Sequence, residues 1–139
     1  MHIGKELSDF AGHWRFEREV RHADGSAMQI TGTAQFDWQG DSLDYLERGK
    51  MQLPSGPPVS TERRYLWQKG LRVYFEDGRF FHSVPPQGGE AAHWCAPDDY
   101  HVVYDFAQWP QWQAIWQVRG PAKDYVMTTN YTWDTPLGE

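Results

Sequence analysis

The sequence predicts an all-β protein: one closed antiparallel up-and-down barrel of about ten strands, with a short helical turn at its start. Three observations carry that expectation. Beyond residues 7–11 no apolar 3.6-residue period is sustained over ten residues, whereas apolar and polar residues alternate with period two along most of the chain. The interruptions are short and hold turn chemistry, as at Asp24-Gly25, Gln39-Gly40-Asp41, Lys69-Gly70, Asp77-Gly78, Pro97-Asp98 and Gly120-Pro121. Short loops make consecutive strands antiparallel neighbours, and an open sheet of that kind would leave two edges unpaired; closing the last strand onto the first removes both.

The opening stretch, LSDFAGHWRFEREVR over residues 7–21, reads as a helical turn, then Gly12-His13-Trp14, then a strand with Trp14, Phe16, Arg18 and Val20 on one face. Strands follow at about 13–23, 26–38, 43–53, 59–67, 71–76, 79–84, 91–96, 99–106, 112–119 and 124–133. At Asp24-Gly25 a three-residue loop with a glycine bulge sets Val20 against Met28, Arg18 against Ile30 and Trp14 against Ala34, which keeps the apolar faces together. Asp77-Gly78 reads as a two-residue type I′ turn pairing Phe75 with Phe80, Val73 with His82 and Leu71 with Val84. That turn puts His82 inside and Phe81 outside, beside Tyr74. Between the third and fourth strands, a loop from Leu53 to Val59 places Arg63 opposite Gly49 and diagonal to Glu47.

The inward set continues through Phe36, Trp38, Leu43, Tyr45, Glu47, Gly49 and Met51, then Thr61, Arg63, Tyr65 and Trp67. It is completed by His93, Cys95, Tyr100, Val102, Tyr104, Phe106, Trp112, Ala114, Trp116, Val118, Tyr125, Met127, Thr129 and Tyr131. The small inward residues Gly32, Ala34, Gly49 and Ala114 point to open space inside.

The 139 residues form one expected domain, 1–139, long enough for a core, and 16% of them are aromatic, so rings do much of the packing. The formal charge of −6 without a basic run argues against a nucleic-acid or anionic-membrane partner. A single cysteine, Cys95, cannot make an internal disulfide, and there is neither an apolar leader near Met1 nor a run long enough to span a membrane. A cytoplasmic location is expected, and a homodimer is left open.

Gly12-His13-Trp14 at the start of the first strand, with the helical turn before it, resembles the lipocalin (calycin) barrels. Asp77-Gly78-Arg79-Phe80-Phe81-His82 and Gly120-Pro121-Ala122-Lys123-Asp124-Tyr125 resemble an uncharacterised bacterial family of small lipocalin-like domains. The resemblance implies a small-molecule container. The chain departs from ordinary lipocalins in lacking disulfides and a long C-terminal helix. The direct connection at Asp24-Gly25 also leaves no room for the lid helices of fatty-acid-binding barrels.

Polarity on the inner face marks the candidate site. Arg18, Glu47, Arg63, His82 and His93 point inward with several tyrosines. Because an unpaired buried charge is costly, Glu47 is expected to meet Arg63 or Arg18. Either a structural ion pair results, or an arginine keeps a free edge for an acidic or carbonyl ligand. His82 and His93 are expected directly opposite each other with Cys95 two positions on, a weak metal set whose H-x10-H-x-C spacing matches no strong signature. A haem on one inward histidine is a further reading, and histidines satisfied by hydroxyls and backbone are the plainer one; no cofactor is identified. Tyr65, Tyr100, Tyr104, Tyr125 and Tyr131, with Trp112 and Trp116, supply flat walls with polar tips. Trp109-Pro110-Gln111-Trp112 reads as a plug at one end.

The leading expectation is therefore a small-molecule binding protein holding a planar or amphipathic ligand, with an acidic one among the options, in a pocket on the order of a few hundred Å³ open at one end. Its ligand-binding residues are Arg18, Glu47, Arg63, Tyr65, His82, His93, Tyr104, Trp116 and Tyr131. The rival is an enzyme of isomerase, cyclase or lyase type, with His82 as acid or base, Glu47 or a tyrosine as its partner and Arg63 stabilising an enolate. A third reading is a solid barrel acting as an interaction module through exposed aromatics near Trp109 or Tyr74 and Phe81. No P-loop, dinucleotide fingerprint, Gly-x-Ser-x-Gly or His-Glu-x-x-His is present.

Overall fold

Period-two patterning becomes ten strands that follow one another around a nearly closed barrel. The computed structural model describes residues 4–134. After the helical turn α1 (Leu7–Phe10), the strands are β1 (Gly12–His22), β2 (Ala27–Gln39), β3 (Ser42–Gln52), β4 (Val59–Gln68), β5 (Arg72–Phe75), β6 (Phe80–Ser83), β7 (Gly89–Cys95), β8 (Asp98–Asp105), β9 (Trp112–Arg119) and β10 (Asp124–Trp133). Every expected strand is present, with ends displaced by at most two residues.

All ladders are antiparallel, in the order β6-β5-β4-β3-β2-β1-β10-β9-β8-β7. The first and last strands do pair, with Phe16 opposite Tyr131 and Arg18 opposite Thr129. Closure is incomplete elsewhere: β6 and β7 are neighbours that share no ladder. The connection between them carries Pro85 and Pro86, which have no amide to donate. The Pro86 carbonyl is taken instead by the Lys5 amide at 2.7 Å. A seam therefore runs down the wall between β6 and β7.

The β1–β2 hairpin has the expected register, with Val20 opposite Met28, Arg18 opposite Ile30 and Trp14 opposite Ala34. The Asp24 carboxylate accepts from the Ser26 amide at 2.8 Å, and Gly25 takes a φ of 91°. Two other registers correct the sequence reading. In β3–β4, Arg63 lies directly opposite Glu47, and Gly49 faces Thr61. The pairing stops at Met51–Val59 because Pro54, Pro57 and Pro58 cannot extend a ladder.

At Asp77-Gly78 only the glycine has positive φ, so the turn is a three-residue loop rather than type I′. Phe75 N–H donates to Arg79 O at 2.8 Å, and Tyr74 then faces Phe80. A bulge restores the pairing of Val73 with His82, leaving Phe81 as the extra residue. Phe80 is consequently outside, 48% exposed, while Phe81 and His82 are both buried.

Packing closes one end of the barrel. Phe10 is completely buried and lies 5.1 Å from both Trp67 and Trp109 between ring centroids and 5.4 Å from Trp112. The Trp14 indole N–H donates to the Phe10 carbonyl at 3.0 Å, tying α1 to β1. Trp109 is half-buried and acts as the expected plug at this end, against Phe10, Trp14 and Phe106. Trp38, expected inside, projects past the barrel end and is 49% exposed.

Gly32 and Gly49 are opposite each other on β2 and β3. A Cβ on Gly32 would meet the Arg48 carbonyl and lie 2.6 Å from the Gly49 Cα, and one on Gly49 would lie 3.0 Å from the Phe16 ring. These glycines allow close approach of strands and a ring; they do not leave the expected void.

Candidate functional site

The β1, β3 and β10 strands carry their inner polar residues at one level, and the barrel's curvature brings them together. The Arg18 guanidinium donates to Glu47 through two parallel bonds, Nη1 to Oε2 at 2.6 Å and Nη2 to Oε1 at 2.7 Å. Its Nε donates to Thr129 Oγ1 at 2.8 Å. The Tyr45 hydroxyl donates to Glu47 Oε1 at 2.6 Å and lies 3.1 Å from the Tyr131 hydroxyl. Burial alone would raise the Glu47 pKa, but Arg18, with smaller help from Arg63 and Tyr45, holds it below the ordinary value. Glu47 is thus an ionised carboxylate with both oxygens engaged. Three donors already occupy it, two from Arg18 and one from Tyr45.

Arg63, one strand along on β4, is left without a counter-ion. Its Nη2 donates to the Tyr65 hydroxyl at 2.6 Å, and its Nη1 lies 3.7 Å from the Met127 sulfur, a weak acceptor. Among the described residues it makes no ion pair, because Glu47 opposite is spent on Arg18. Burial opposes the Arg63 charge, but the Tyr65 oxygen and the nearby Glu47 carboxylate more than offset it, and the guanidinium stays protonated. Among the described residues the cavity lining thus carries two cations, Arg18 and the half-buried Arg63, and one anion, Glu47.

His82 forms a second polar couple. Its Nε2 is 2.9 Å from the Tyr104 hydroxyl, while Nδ1 is buried without a partner. Burial, reinforced by the proximity of His93, lowers its pKa to about 3, so the ring is neutral near neutrality. Tyr104 is held neutral by burial, which raises its pKa well above the ordinary value. The indole N–H of Trp112 is likewise buried and unpaired.

These residues line a single cavity. Arg18, Tyr45, Glu47, Arg63, Tyr65, His82, Tyr104, Trp116 and Tyr131 all border it, so eight of the nine expected ligand-binding positions converge, with Tyr45 added. Its volume is about 40 Å³, room for a few water molecules rather than the few hundred Å³ expected. Rings fill the difference. Phe81 stacks on Trp116 at 5.1 Å and on Phe75 at 4.4 Å, and Trp112 stacks on Tyr131 at 3.8 Å.

His93 is the ninth position and does not reach the cavity. It is half-buried toward the open end, 5.4 Å from Phe81 between rings, and its ladder partner is Tyr100 on β8. The absent β6–β7 ladder means that His82 and His93 are not paired across strands as expected. Among the described residues no three His, Cys, Asp or Glu side chains are grouped to hold a metal, so His82, His93 and Cys95 do not form the set considered from spacing. Sequence reasoning missed Phe81, Tyr45 and Thr129 as site residues. The alternation that marked Glu47 also marked Tyr45, two residues before it, whereas Phe81 was hidden by the bulge.

Comparison with known proteins adds the following. No curated protein matches the chain. Among solved structures, the chain is similar to an S-type phycobiliprotein lyase from Guillardia theta, with a TM-score of 0.70 and 7% identity over 94% of this chain and 91% of that one. At that identity the likeness is one of fold, a lipocalin-like barrel. Among the described residues no helix is long and apolar enough to cross a membrane. The profile of a family of unknown function, DUF6314, matches residues 10–133, and the chain belongs to that family.

Proposed function

We propose that this protein binds a small molecule inside the barrel and presents Arg63 to an acceptor group on it. The observation that carries the reading is the Arg63 guanidinium, charged, lining the cavity and lacking a carboxylate partner among the described residues. Arg63 is half-buried, and a cation that is partly dehydrated without a counter-ion favours a ligand oxygen, which offsets part of its desolvation cost. Tyr65, Tyr104, Trp116 and Tyr131 form the walls. The cavity must widen to admit a ligand, and the β6–β7 seam supplies a wall that moves without breaking ladder hydrogen bonds. Titration with a panel of planar carboxylates, read by tryptophan fluorescence, tests the reading: quenching that saturates in wild type and is lost in Arg63→Gln is expected. Silence across the whole panel contradicts it.

A second reading, a lyase- or isomerase-type enzyme in the same cavity, is favoured by His82. A neutral imidazole hydrogen-bonded to a tyrosine, with its other nitrogen unpaired beside the cavity, is suited to proton transfer. The name of the structural neighbour, a phycobiliprotein lyase, is compatible with this. Deuterium exchange from solvent into a bound ligand, present in wild type and abolished in His82→Gln with binding retained, distinguishes catalysis from binding alone.

A further inference from the structure

The geometry points to the chemical class of that ligand: an amphipathic monocarboxylate held head-inward. Its carboxylate sits on Arg63, and its apolar body lies along the open end of the barrel beside Met51, Phe75 and Met127. This rests on the binding reading above and goes beyond it in charge, polarity and orientation.

Charge comes first. Arg18 and Glu47 neutralise one another in a two-point pair, and His82 is neutral, so among the described residues the cavity lining retains one positive charge, that of the half-buried Arg63. One negative charge balances it, and two would leave an excess anion in a desolvated space.

The unpaired polar atoms on the cavity-lining residues are of one kind. The Tyr104 hydroxyl hydrogen needs an acceptor, and its partner among the described residues is His82 Nε2. Donation in that direction leaves the ring proton on Nδ1, the unpartnered nitrogen. Trp112 Nε1 is also a donor without a partner, and Arg63 has donors to spare. Cavity-lining residues thus offer N–H groups and a cation, which select oxygen acceptors such as a carboxylate.

Size and surroundings set the orientation. A cavity of about 40 Å³ accepts a head group and little more. The body must therefore lie toward the end opposite α1, where Met51, Phe75, Tyr100, Tyr125 and Met127 are half-buried. Methionines adapt to an irregular apolar guest. Phe81 borders the cavity and also stacks on Phe75, so it stands between head site and open end and has to turn aside as the ligand enters. At the rim, Lys123 is already held by Asp98 at 3.0 Å and Tyr100 at 3.3 Å, so it gives no free cation to a second acidic group.

The test is calorimetric titration of the full chain with decanoate, decan-1-ol, decanedioate and decylamine. Decanoate is expected to bind about tenfold or more tightly than the alcohol, the dianion or the amine, which is what a charge-assisted hydrogen bond is worth. Arg63→Gln should abolish the preference for decanoate over the alcohol, whereas Arg63→Lys should keep part of it. Met51→Asp, at the half-buried end, should weaken decanoate more than hexanoate. Equal binding of the alcohol or the dianion, or an unaltered preference in Arg63→Gln, overturns the inference. If the planar carboxylates quench fluorescence while decanoate gives no heat, this inference fails and the binding reading stands; if both are silent, both fail.

Discussion

Arg18 and Glu47 meet through two parallel hydrogen bonds of 2.6 and 2.7 Å although they lie on β1 and β3, with β2 between them. Both are almost wholly buried, at 3% and 1% exposure. Among the described residues the pair takes up the one inward carboxylate in reach of Arg18 and Arg63, and Arg63 has no carboxylate partner for that reason.

Breaking the pair from one side strands a buried charge. Glu47→Gln and Arg18→Met should each destabilise the fold by about 3–5 kcal/mol, whereas the double variant Arg18→Met with Glu47→Leu should cost less than either alone. Urea unfolding followed by far-ultraviolet circular dichroism measures all three.

His82 makes stability depend on pH in a definite direction. Its folded pKa is depressed from 6.5 to about 3 by burial, with His93 adding to the effect, so between those values the unfolded chain binds a proton that the folded one refuses. Stability should therefore fall as pH drops from about 6.5 toward 3, by about 1.4 kcal/mol per pH unit for this one group. Glu47, with its pKa held below the ordinary value, adds its own loss at the acid end. Denaturation midpoints measured between pH 4 and 7 should show a shallower slope in His82→Gln than in wild type.

The bulge in β6 predicts opposite fates for neighbouring phenylalanines. Phe81→Ala removes a ring that packs on Phe75 and Trp116 and should cost about 3–5 kcal/mol; Phe80→Ser, on the outer surface, should stay within about 0.5 kcal/mol of wild type. Chemical denaturation of the two variants separates this arrangement from the regular hairpin, which would reverse the order.

Gly32 gives a further check on the packing of β2 against β3. A Cβ there runs into the Arg48 carbonyl and the Gly49 backbone, neither of which is the end of a flexible side chain. Gly32→Ala should lower the melting temperature by several degrees, equivalent to about 2 kcal/mol or more, while Gly40→Asn in an open turn should change it little.

Much of this was legible in the residues alone. Alternation with period two marked every strand, and Asp24-Gly25 with the inward pattern of Val20, Arg18 and Trp14 gave the β1–β2 register. The errors share a cause: local turn chemistry overrode simple pairing. Pro54, Pro57 and Pro58 shortened β3–β4, and an extra turn residue at Asp77-Gly78, offset by a bulge, brought Phe81 inside. Pro85 and Pro86 left the seam where a ladder was expected. The identity of the inward polar residues was also readable. The partnership of Arg18 with Glu47 was left open, because it crosses a strand and depends on how the barrel curves. Cavity size was misread from Gly32 and Gly49, whose missing side chains admit neighbouring backbone and the Phe16 ring.

The central claim is that Arg63 is a cavity-lining cation without a carboxylate partner, which a ligand neutralises. A crystal structure of the protein grown with 2-naphthoate tests it most directly. The account predicts carboxylate density within about 3 Å of the Arg63 guanidinium, with Phe81 turned away from Phe75. Naphthoate seated on the outer surface, beside Trp38 or Trp94, over an unchanged ring-filled interior would contradict it.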